Sequence, residues 1–201
     1  MNTKDGFRGI YKPMQPEQTR AHYDRWSGNY DSELAENGYA TPARCAEALI
    51  ATQTPVTARV LDFGCGTGIS GEALKRVGFQ TIDGCDLSAE MLKKAETKEI
   101  YNNLWQIEAG SILPTQYDVI TAVGVISTGA APPETLDTIL GVLNSGGRLV
   151  LSFNDHALAD PAYPARLKHH LSENAKLLFE EYGPHLPGLN LNAYVYVIEK
   201  S

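Results

Sequence analysis

VLDFGCGTGIS, residues 60–70, is the most informative stretch of the chain, because it joins an apolar segment to a cluster of glycines. Val60 to Phe63 predicts a short buried β-strand, and apolar residues recur at helical spacing from Ile69 until Gly78. Glycines between a strand and a helix let the backbone approach a ligand closely. The stretch therefore predicts a strand–loop–helix unit with a ligand site in its loop.

The same alternation continues along the chain. Further strands are predicted in FQTIDGCD (79–86), around residues 105–109, in YDVITAVGV (117–125) and in RLVLSF (148–153). Helices are predicted between them, one capped by Ser88 and one ended by Gly146 and Gly147. Strands that alternate with helices form right-handed βαβ units, so the fold class is α/β with a doubly wound, mostly parallel sheet.

The C-terminal part departs from this alternation. A helix around residues 165–171 is followed by two strand-like segments, AKLLFEEYG (175–183) and AYVYVIEK (193–200). Two strands joined without a helix pair antiparallel. The complete prediction is a seven-stranded sheet with an antiparallel C-terminal hairpin.

The N-terminal part precedes the first predicted strand. Residues 1–40 are interpreted as a lead-in and a helical lid, and residues 41–201 as the ligand-binding domain. Tyr23, Trp26 and Tyr30 are spaced as one helix face. The next helix is predicted to begin with Thr41 as N-cap and Pro42 at the first helical position.

Composition narrows the class of partner. The 201 residues carry a net charge of −7, which argues against a nucleic-acid partner. Three widely separated cysteines indicate free thiols and no metal site. The N-terminus lacks a signal-peptide pattern and no apolar stretch could span a bilayer, so the chain is predicted to be cytoplasmic, without membrane contact.

The glycine cluster itself can be read in two registers. Gly66 to Gly71 fits the dinucleotide pattern G-x-G-x-x-G, whereas Gly64 to Gly68 fits G-x-G-x-G. Asp62 lies just ahead of the loop, where a carboxylate would repel a pyrophosphate and attract a cationic cofactor. Asp86, at the end of the second strand, could accept hydrogen bonds from ribose hydroxyls in either case. The second register is favoured, and a nicotinamide dinucleotide stays open as an alternative.

Four segments together resemble class I S-adenosylmethionine (SAM)-dependent methyltransferases. They are VLDFGCGTG (60–68), GCDLSAEML (84–92), YDVITAVGV (117–125) and LNSGGRLVLSF (143–153). HYDRWSGNYD (22–31) and GVISTGAAPPETLDTILGVLNSGG (124–147) are most similar to small methyltransferases related to the Williams–Beuren-region methyltransferase-like protein. The resemblance covers about residues 20–200 and implies the Rossmann-like methyltransferase fold, with SAM as cofactor.

The resemblance also implies which residues contact SAM. The glycine loop would line the methionine part of SAM, and Asp62 would lie near the amino group of that part. Asp86 would bind the ribose diol. The remaining contacts would pack on the adenine, pass beneath the methionine or close over it from the lid. The implied set is Trp26, Tyr30, Asp62, Gly64, Cys65, Gly66, Gly68, Asp86, Leu87, Met91, Ser111, Ile112 and Val123. Gly110 stands where many relatives have an aspartate.

The sequence therefore predicts a SAM-dependent methyltransferase that acts on a small-molecule acceptor. No residue identifies itself as a catalytic base, and the acceptor is left open. The alternatives are a SAM-binding module without catalysis and an NAD-dependent oxidoreductase.

Overall fold

The computed structural model describes residues 10, 12, 14–114 and 117–201. Its helices are α1 (Pro16–Trp26), α2 (Tyr30–Glu36), α3 (Thr41–Ala51), α4 (Ile69–Arg76), α5 (Ala89–Glu96), α6 (Thr135–Val142), α7 (Asp155–Ala159) and α8 (Ala162–Glu173). Its strands are β1 (Arg59–Phe63), β2 (Thr81–Asp86), β3 (Asn103–Gln106), β4 (Tyr117–Ala122), β5 (Leu143–Asn154), β6 (Ala175–Leu186) and β7 (Leu191–Lys200). A short 3-10 helix, Pro187–Leu189, joins β6 to β7.

The seven strands form one sheet in the order β3-β2-β1-β4-β5-β7-β6. Strands β1 to β5 pair in parallel, whereas β7 is antiparallel to both β5 and β6. The predicted fold class and the antiparallel C-terminal pair are thus confirmed. From β1 the chain proceeds outward to β2 and β3, and from β4 it proceeds in the opposite direction to β5. Ligands are expected at the carboxyl ends of β1 and β4, where the strand order reverses.

Successive residues of the central strands point to opposite faces of the sheet and pack in two separate hydrophobic cores. Leu61 belongs to one buried cluster and Val60 to the other, and Ile120 and Val119 divide in the same way. Helices α3 and α4 supply residues to the second cluster, while α6 and α8 supply residues to the first. Both faces of the sheet are therefore covered, which accounts for the nearly continuous apolar runs in β1 and β4.

Several predicted boundaries are wrong. The N-cap of α3 is Ala40 instead of Thr41, whose hydroxyl lies 2.7 Å from Nδ1 of His185. Strand β3 ends at Gln106 and so begins and ends earlier than predicted. Strand β5 begins at Leu143, and Gly146 and Gly147 lie within it where a helix end was predicted. The register of pairing with β4 shifts there, from Tyr117–Leu143 to Val119–Arg148. The two glycines therefore lie in an irregular part of β5.

The predicted lid face is divided between two helices. Helix α1 ends at Trp26 and α2 begins at Tyr30, with Asn29 as its N-cap. Within the predicted lead-in and lid, residues 1–9, 11 and 13 lie outside the described residues. Within the described part of the chain, no helix has the length and apolarity needed to cross a membrane.

Candidate functional site

A cavity of about 510 Å³ lies at the carboxyl ends of the parallel strands. The loops after β1, β2, β3 and β4 form its floor, and the described part of the lid forms its roof. Eight residues of the predicted site line it: Tyr30, Gly64, Gly66, Asp86, Leu87, Met91, Ser111 and Val123. The structure therefore brings most of the predicted residues to one place.

The glycine loop presents its backbone to this cavity. Gly64 has φ +69° and a Cβ there would lie 2.4 Å from Cγ2 of Val125, so this glycine is required by contact with the protein itself. Gly66 has φ +53° and a Cβ there would meet no protein atom within 4 Å. Because Gly66 lines the cavity, its open side is space that a ligand can occupy.

Asp86 is held in a fixed orientation beside the loop. Its Oδ2 accepts from the backbone N–H of Gly66 at 2.9 Å, and its Oδ1 accepts from the backbone N–H of Ser88 at 2.8 Å. Burial raises the pKa of Asp86 to about 6, although these backbone hydrogen bonds favour the charged form. Each oxygen retains a lone pair, so the carboxylate can accept two further hydroxyl groups.

Asp62 has a different position from the one predicted. Its side chain is fully buried, with Oδ2 accepting from Ser70 at 2.6 Å and from Tyr101 at 2.7 Å, and Oδ1 accepting from Thr121 at 2.6 Å. Burial raises its pKa, and the three hydroxyl donors oppose that rise. Asp62 is not among the residues that line the cavity, so it stabilises the loop from behind and has no direct access to a cofactor there.

Tyr101 is a supporting residue that sequence reasoning missed. Its ring lies beneath the loop, 3.3 Å from where a Cβ of Gly68 would be, and its hydroxyl reaches Asp62. Gly68 lines neither the main cavity nor the small recess beside it, and its role is this close packing. Tyr101 sits in a polar segment ahead of β3, and no local pattern links it to a loop more than thirty residues away.

Cys65 lies beside the cavity. It is buried and lines a small recess of about 30 Å³ that shares Tyr30, Gly64 and Gly66 with the main cavity. Burial raises the pKa of the Cys65 thiol well above its ordinary value, so it stays protonated. Cys65 is therefore a small packing residue of the loop.

The lid residues Trp26 and Tyr30 have separate roles. Tyr30 lines the cavity, and its ring centroid lies 4.7 Å from that of Trp26. Trp26 is only 6% exposed, does not line the cavity and donates from Nε1 to Oε2 of Glu33 at 2.9 Å. The prediction that Trp26 covers the cofactor is corrected: it supports Tyr30 from behind. Tyr23, from the same predicted face, does line the cavity.

Two carboxylates attach the lid to the cofactor loops. Asp24 of α1 accepts a hydrogen bond from the Ser88 hydroxyl at 2.5 Å. Asp31 of α2 accepts from the Thr67 hydroxyl and pairs with Nζ of Lys98 at 2.9 Å. The lid is thus joined by hydrogen bonds to both ends of the loop system that contains Gly66 and Asp86.

The predicted contacts after β3 are only partly in place. Ser111 lines the cavity, but Ile112 is 98% exposed and lies outside it. Leu113 and Ile107 line it from the same loop and are both buried. The apolar residue was therefore misassigned by one position, because an irregular loop has no periodicity from which to predict side-chain direction.

The far end of the cavity contains polar residues that the sequence did not single out. They follow β4 and β5 in the chain and comprise Ser127, Thr128, Glu134, Asp160 and Tyr163. The lid adds Met14, Thr19 and Arg20 above them. Across the described residues, no cluster of three or more metal-binding side chains is found.

Comparison with known proteins identifies the class. Residues 35–193 match a family model described as "Methyltransferase domain". The chain therefore belongs to this family, and its fold is that of class I SAM-dependent methyltransferases, with SAM as the cofactor. The family predicted from the sequence is confirmed.

Two curated relatives show the range of this family. Methyltransferase-like protein 27 of Homo sapiens is 33% identical over 138 residues, covering 65% of this chain and 55% of the relative. The tRNA 5-carboxymethoxyuridine methyltransferase of Escherichia coli (strain K12) is 35% identical over 122 residues, covering 56% and 46%. The chain thus spans about half the length of these relatives.

Two solved structures share the fold. The [4+2]-cyclase SpnF has a TM-score of 0.72 at 16% identity, covering 96% of this chain and 98% of that one. Magnesium protoporphyrin IX methyltransferase from Synechocystis PCC 6803, solved with bound SAM, has a TM-score of 0.61 at 19% identity, covering 98% and 90%. At these identities the likeness concerns the fold alone.

Proposed function

We propose that this chain catalyses methyl transfer from SAM to a small-molecule acceptor. The observation that carries the proposal is one continuous cavity with two different ends. At one end lie the open side of Gly66 and the prepositioned carboxylate of Asp86; at the other lies a group of polar side chains beyond β4 and β5.

The residues at the first end fit SAM. Gly66 has no Cβ to obstruct the space beside it, so the methionine part of SAM fits there. Asp86 presents acceptor lone pairs suited to a ribose diol. Leu87 and Met91 supply apolar surface for a base next to that diol. When bound, SAM would supply an electrophilic methyl group: the bond from an acceptor lone pair to the methyl carbon would form as the S–CH3 bond breaks, with the electrons of the broken bond left on the sulfur of S-adenosylhomocysteine.

The chain itself contributes positioning and exclusion of water. The lid covers the cavity through Tyr23 and Tyr30 and is joined to the loops by Asp24 and Asp31. A water-poor cavity favours a step in which positive charge disappears, and alignment of the two reactants supplies much of the rate. This mode of catalysis requires no nucleophile from the protein, in keeping with the protonated state of Cys65.

Three observations support a small acceptor over RNA. The cavity is roofed by the lid, it holds about 510 Å³ in total, and the chain carries a net charge of −7. Relatives include enzymes named for tRNA and for ubiquinone biosynthesis, so the family is compatible with both kinds of acceptor. The small-molecule assignment therefore requires a direct test.

The test combines ligand binding with product analysis. SAM at about a hundred times its Kd should stabilise the native chain by about 2.7 kcal/mol, or about 5–10 °C in Tm for a chain of this size, whereas NAD should not. Methyl-labelled SAM is then incubated with the protein and either a metabolite extract or total RNA. Label in the low-molecular-weight fraction supports the proposal. Label in RNA alone, or stabilisation by NAD instead of SAM, would overturn it.

A further inference from the structure

The far end of the cavity lies over strands that the cofactor residues do not occupy. Sheet order separates the two ends: Asp86 follows β2, whereas Ser127 and Thr128 follow β4, and Tyr163 follows β5. Residues that fit SAM lie over β1 and β2, so the space over β4 and β5 remains for the acceptor. The chemistry of this end therefore carries information about the acceptor.

The charged side chains of the cavity wall are distributed unevenly. Among the described residues, the charged ones that line the cavity are Arg20, Asp86, Glu108, Glu134 and Asp160. Asp86 lies at the cofactor end, and the other four are exposed to solvent. Water hydrates an exposed charge, so these four side chains need no counter-charge from a ligand.

The buried part of the far wall is uncharged. Among the described residues over β4 and β5, the buried lining residues are Ser127, Gly129 and Tyr163, and the lid adds Thr19. Burial raises the pKa of Tyr163, so its phenol is neutral at neutral pH. Half-buried apolar residues complete this part of the wall: Met14, Val125, Ala130 and Ala131. The inner wall thus offers hydroxyl groups and apolar surface without a charge.

The lid covers this end of the cavity. The Thr19 hydroxyl donates to the backbone oxygen of Gly129 at 3.4 Å, which joins α1 to the loop after β4. A Cβ at Gly129 would collide with the backbone oxygen of Ile10, so the chain ahead of α1 packs directly on the same loop. A ligand group enclosed here loses contact with water, and enclosing a charge without a partner costs far more free energy than enclosing a neutral group.

Ser127 has an unused hydroxyl at this end. The residue is only 7% exposed, and among the described residues no hydrogen bond to its hydroxyl is present. No fully buried side-chain oxygen in the described chain lacks a partner, so the Ser127 oxygen must retain accessible surface. Because Ser127 lines the cavity, that surface faces the cavity, and the hydroxyl is available to a ligand.

We infer that the acceptor is an uncharged, largely apolar molecule that forms a hydrogen bond with Ser127 through a hydroxyl or carbonyl oxygen. A charged acceptor would enclose its charge beneath the lid against a wall that has no opposite charge, and a purely apolar one would leave the Ser127 hydroxyl without a partner. The inference rests on the proposed function, because it concerns the second reactant of the same cavity.

The test uses two sets of probes, and the members of each set share a carbon framework and differ in charge. The first set is 2-phenylethanol, 2-phenylethylamine and phenylacetate, and the second is hexanol, hexylamine and hexanoate. Their affinities are measured by calorimetry on the protein saturated with S-adenosylhomocysteine. In at least one set the alcohol should bind at least about tenfold more tightly than the amine and the carboxylate.

The S127A variant tests whether the preferred alcohol contacts this hydroxyl. The hydroxyl has no partner within the described protein, so alanine leaves no protein group unpaired, and the variant should keep its Tm and its affinity for S-adenosylhomocysteine. It should bind the preferred alcohol about two- to tenfold more weakly, as expected for one lost hydrogen bond. The matched control is S145A, which removes an exposed hydroxyl on β5 that lines neither the cavity nor the recess and should keep the wild-type affinity.

The two proposals fail in distinguishable ways. Absence of S-adenosylhomocysteine and SAM binding in the wild-type chain would contradict the proposed function. If the cofactor binds but neither alcohol is preferred over its charged counterparts, the acceptor inference is overturned and the proposed function stands. Equal alcohol affinities in S127A and S145A would overturn it as well.

Discussion

At the scale of single residues, Asp86 is the carboxylate that we propose binds the ribose diol of SAM. Two backbone N–H groups fix its orientation, and its remaining lone pairs face the cavity. A hydrogen bond to a charged group contributes about 1.5–3 kcal/mol. We therefore expect D86A to weaken SAM binding at least about tenfold in calorimetry, while D86N, which keeps one oxygen, loses less.

The matched control for Asp86 is E47A, which should bind SAM like the wild-type chain. Circular dichroism and Tm establish that each variant is folded. An unchanged SAM affinity in a folded D86A protein would contradict the assignment of Asp86 to the ribose.

Gly66 supplies a second prediction at this scale. Alanine at 66 must adopt φ near +53°, and its methyl group would project into the cavity. Gly146 has φ +74° and equally open space around its Cβ, but it does not line the cavity. Both G66A and G146A should lose about 1–2 kcal/mol of stability through backbone strain, measured by denaturant unfolding. Only G66A should also lose most of its SAM affinity; equal affinities in the two variants would contradict the cofactor assignment.

At the scale of elements, the lid depends on a few polar contacts to the core. Asp24 on α1 binds the Ser88 hydroxyl, and Ser88 in turn caps α5 by accepting from the backbone N–H of Met91. Removing the Asp24 side chain should therefore release α1 without unfolding the sheet. A hydrogen bond of this kind contributes about 0.5–1.5 kcal/mol, so D24A should raise the SAM dissociation rate by about two- to tenfold.

Stopped-flow fluorescence can measure this rate, since Trp26 lies against Tyr30 at the cavity wall. R25A is the matched control, because Arg25 is the exposed next residue on α1. Identical dissociation rates for D24A, R25A and the wild-type chain would show that the Asp24 contact does not hold the lid closed.

At the scale of the whole molecule, His185 joins the edge of the sheet to the helical layer. Nδ1 of its ring forms a hydrogen bond with the hydroxyl of Thr41 in α3 at 2.7 Å. Its backbone oxygen accepts from the backbone N–H of Ala40 at 3.0 Å. Burial lowers the pKa of His185 to about 4, with further contributions from Arg44 and His156 and opposition from Asp155. The imidazole is therefore neutral in the native chain at neutral pH.

The sign of the resulting pH dependence follows from linkage. Between pH 6.5 and 4 the unfolded chain takes up a proton at His185 before the native chain does, so acidification in this window lowers the free energy of unfolding. We expect the Tm of the wild-type protein to fall more between pH 7.5 and 5 than that of H185Q. H169Q, which changes an exposed histidine, should retain the wild-type dependence. Equal pH dependence in H185Q and the wild-type chain would contradict this role.

Local sequence was sufficient for the order of strands and helices, the glycine loop and the position of Asp86. These features depend on interactions between near neighbours in the chain: apolar runs in β1 and β4, the N-cap at Ser88, and glycines that follow a strand directly. The carboxyl ends of adjacent parallel strands then meet at one edge of the sheet whatever the detailed packing is. Gly64, Gly66 and Asp86 were accordingly placed correctly at the cavity.

Packing between distant segments determined the rest. Asp62 faces three hydroxyl groups, two of which lie 39 and 59 residues further along the chain, and nothing in VLDFGCGTGIS specifies them. Trp26 turns toward Glu33 because the lid breaks between α1 and α2, and Leu113 is buried where Ile112 was expected. The far end of the cavity is assembled from loops after β4 and β5 that are adjacent only in the folded chain. A side chain's direction and its partners follow from these long-range contacts, which hydrophobic periodicity does not encode.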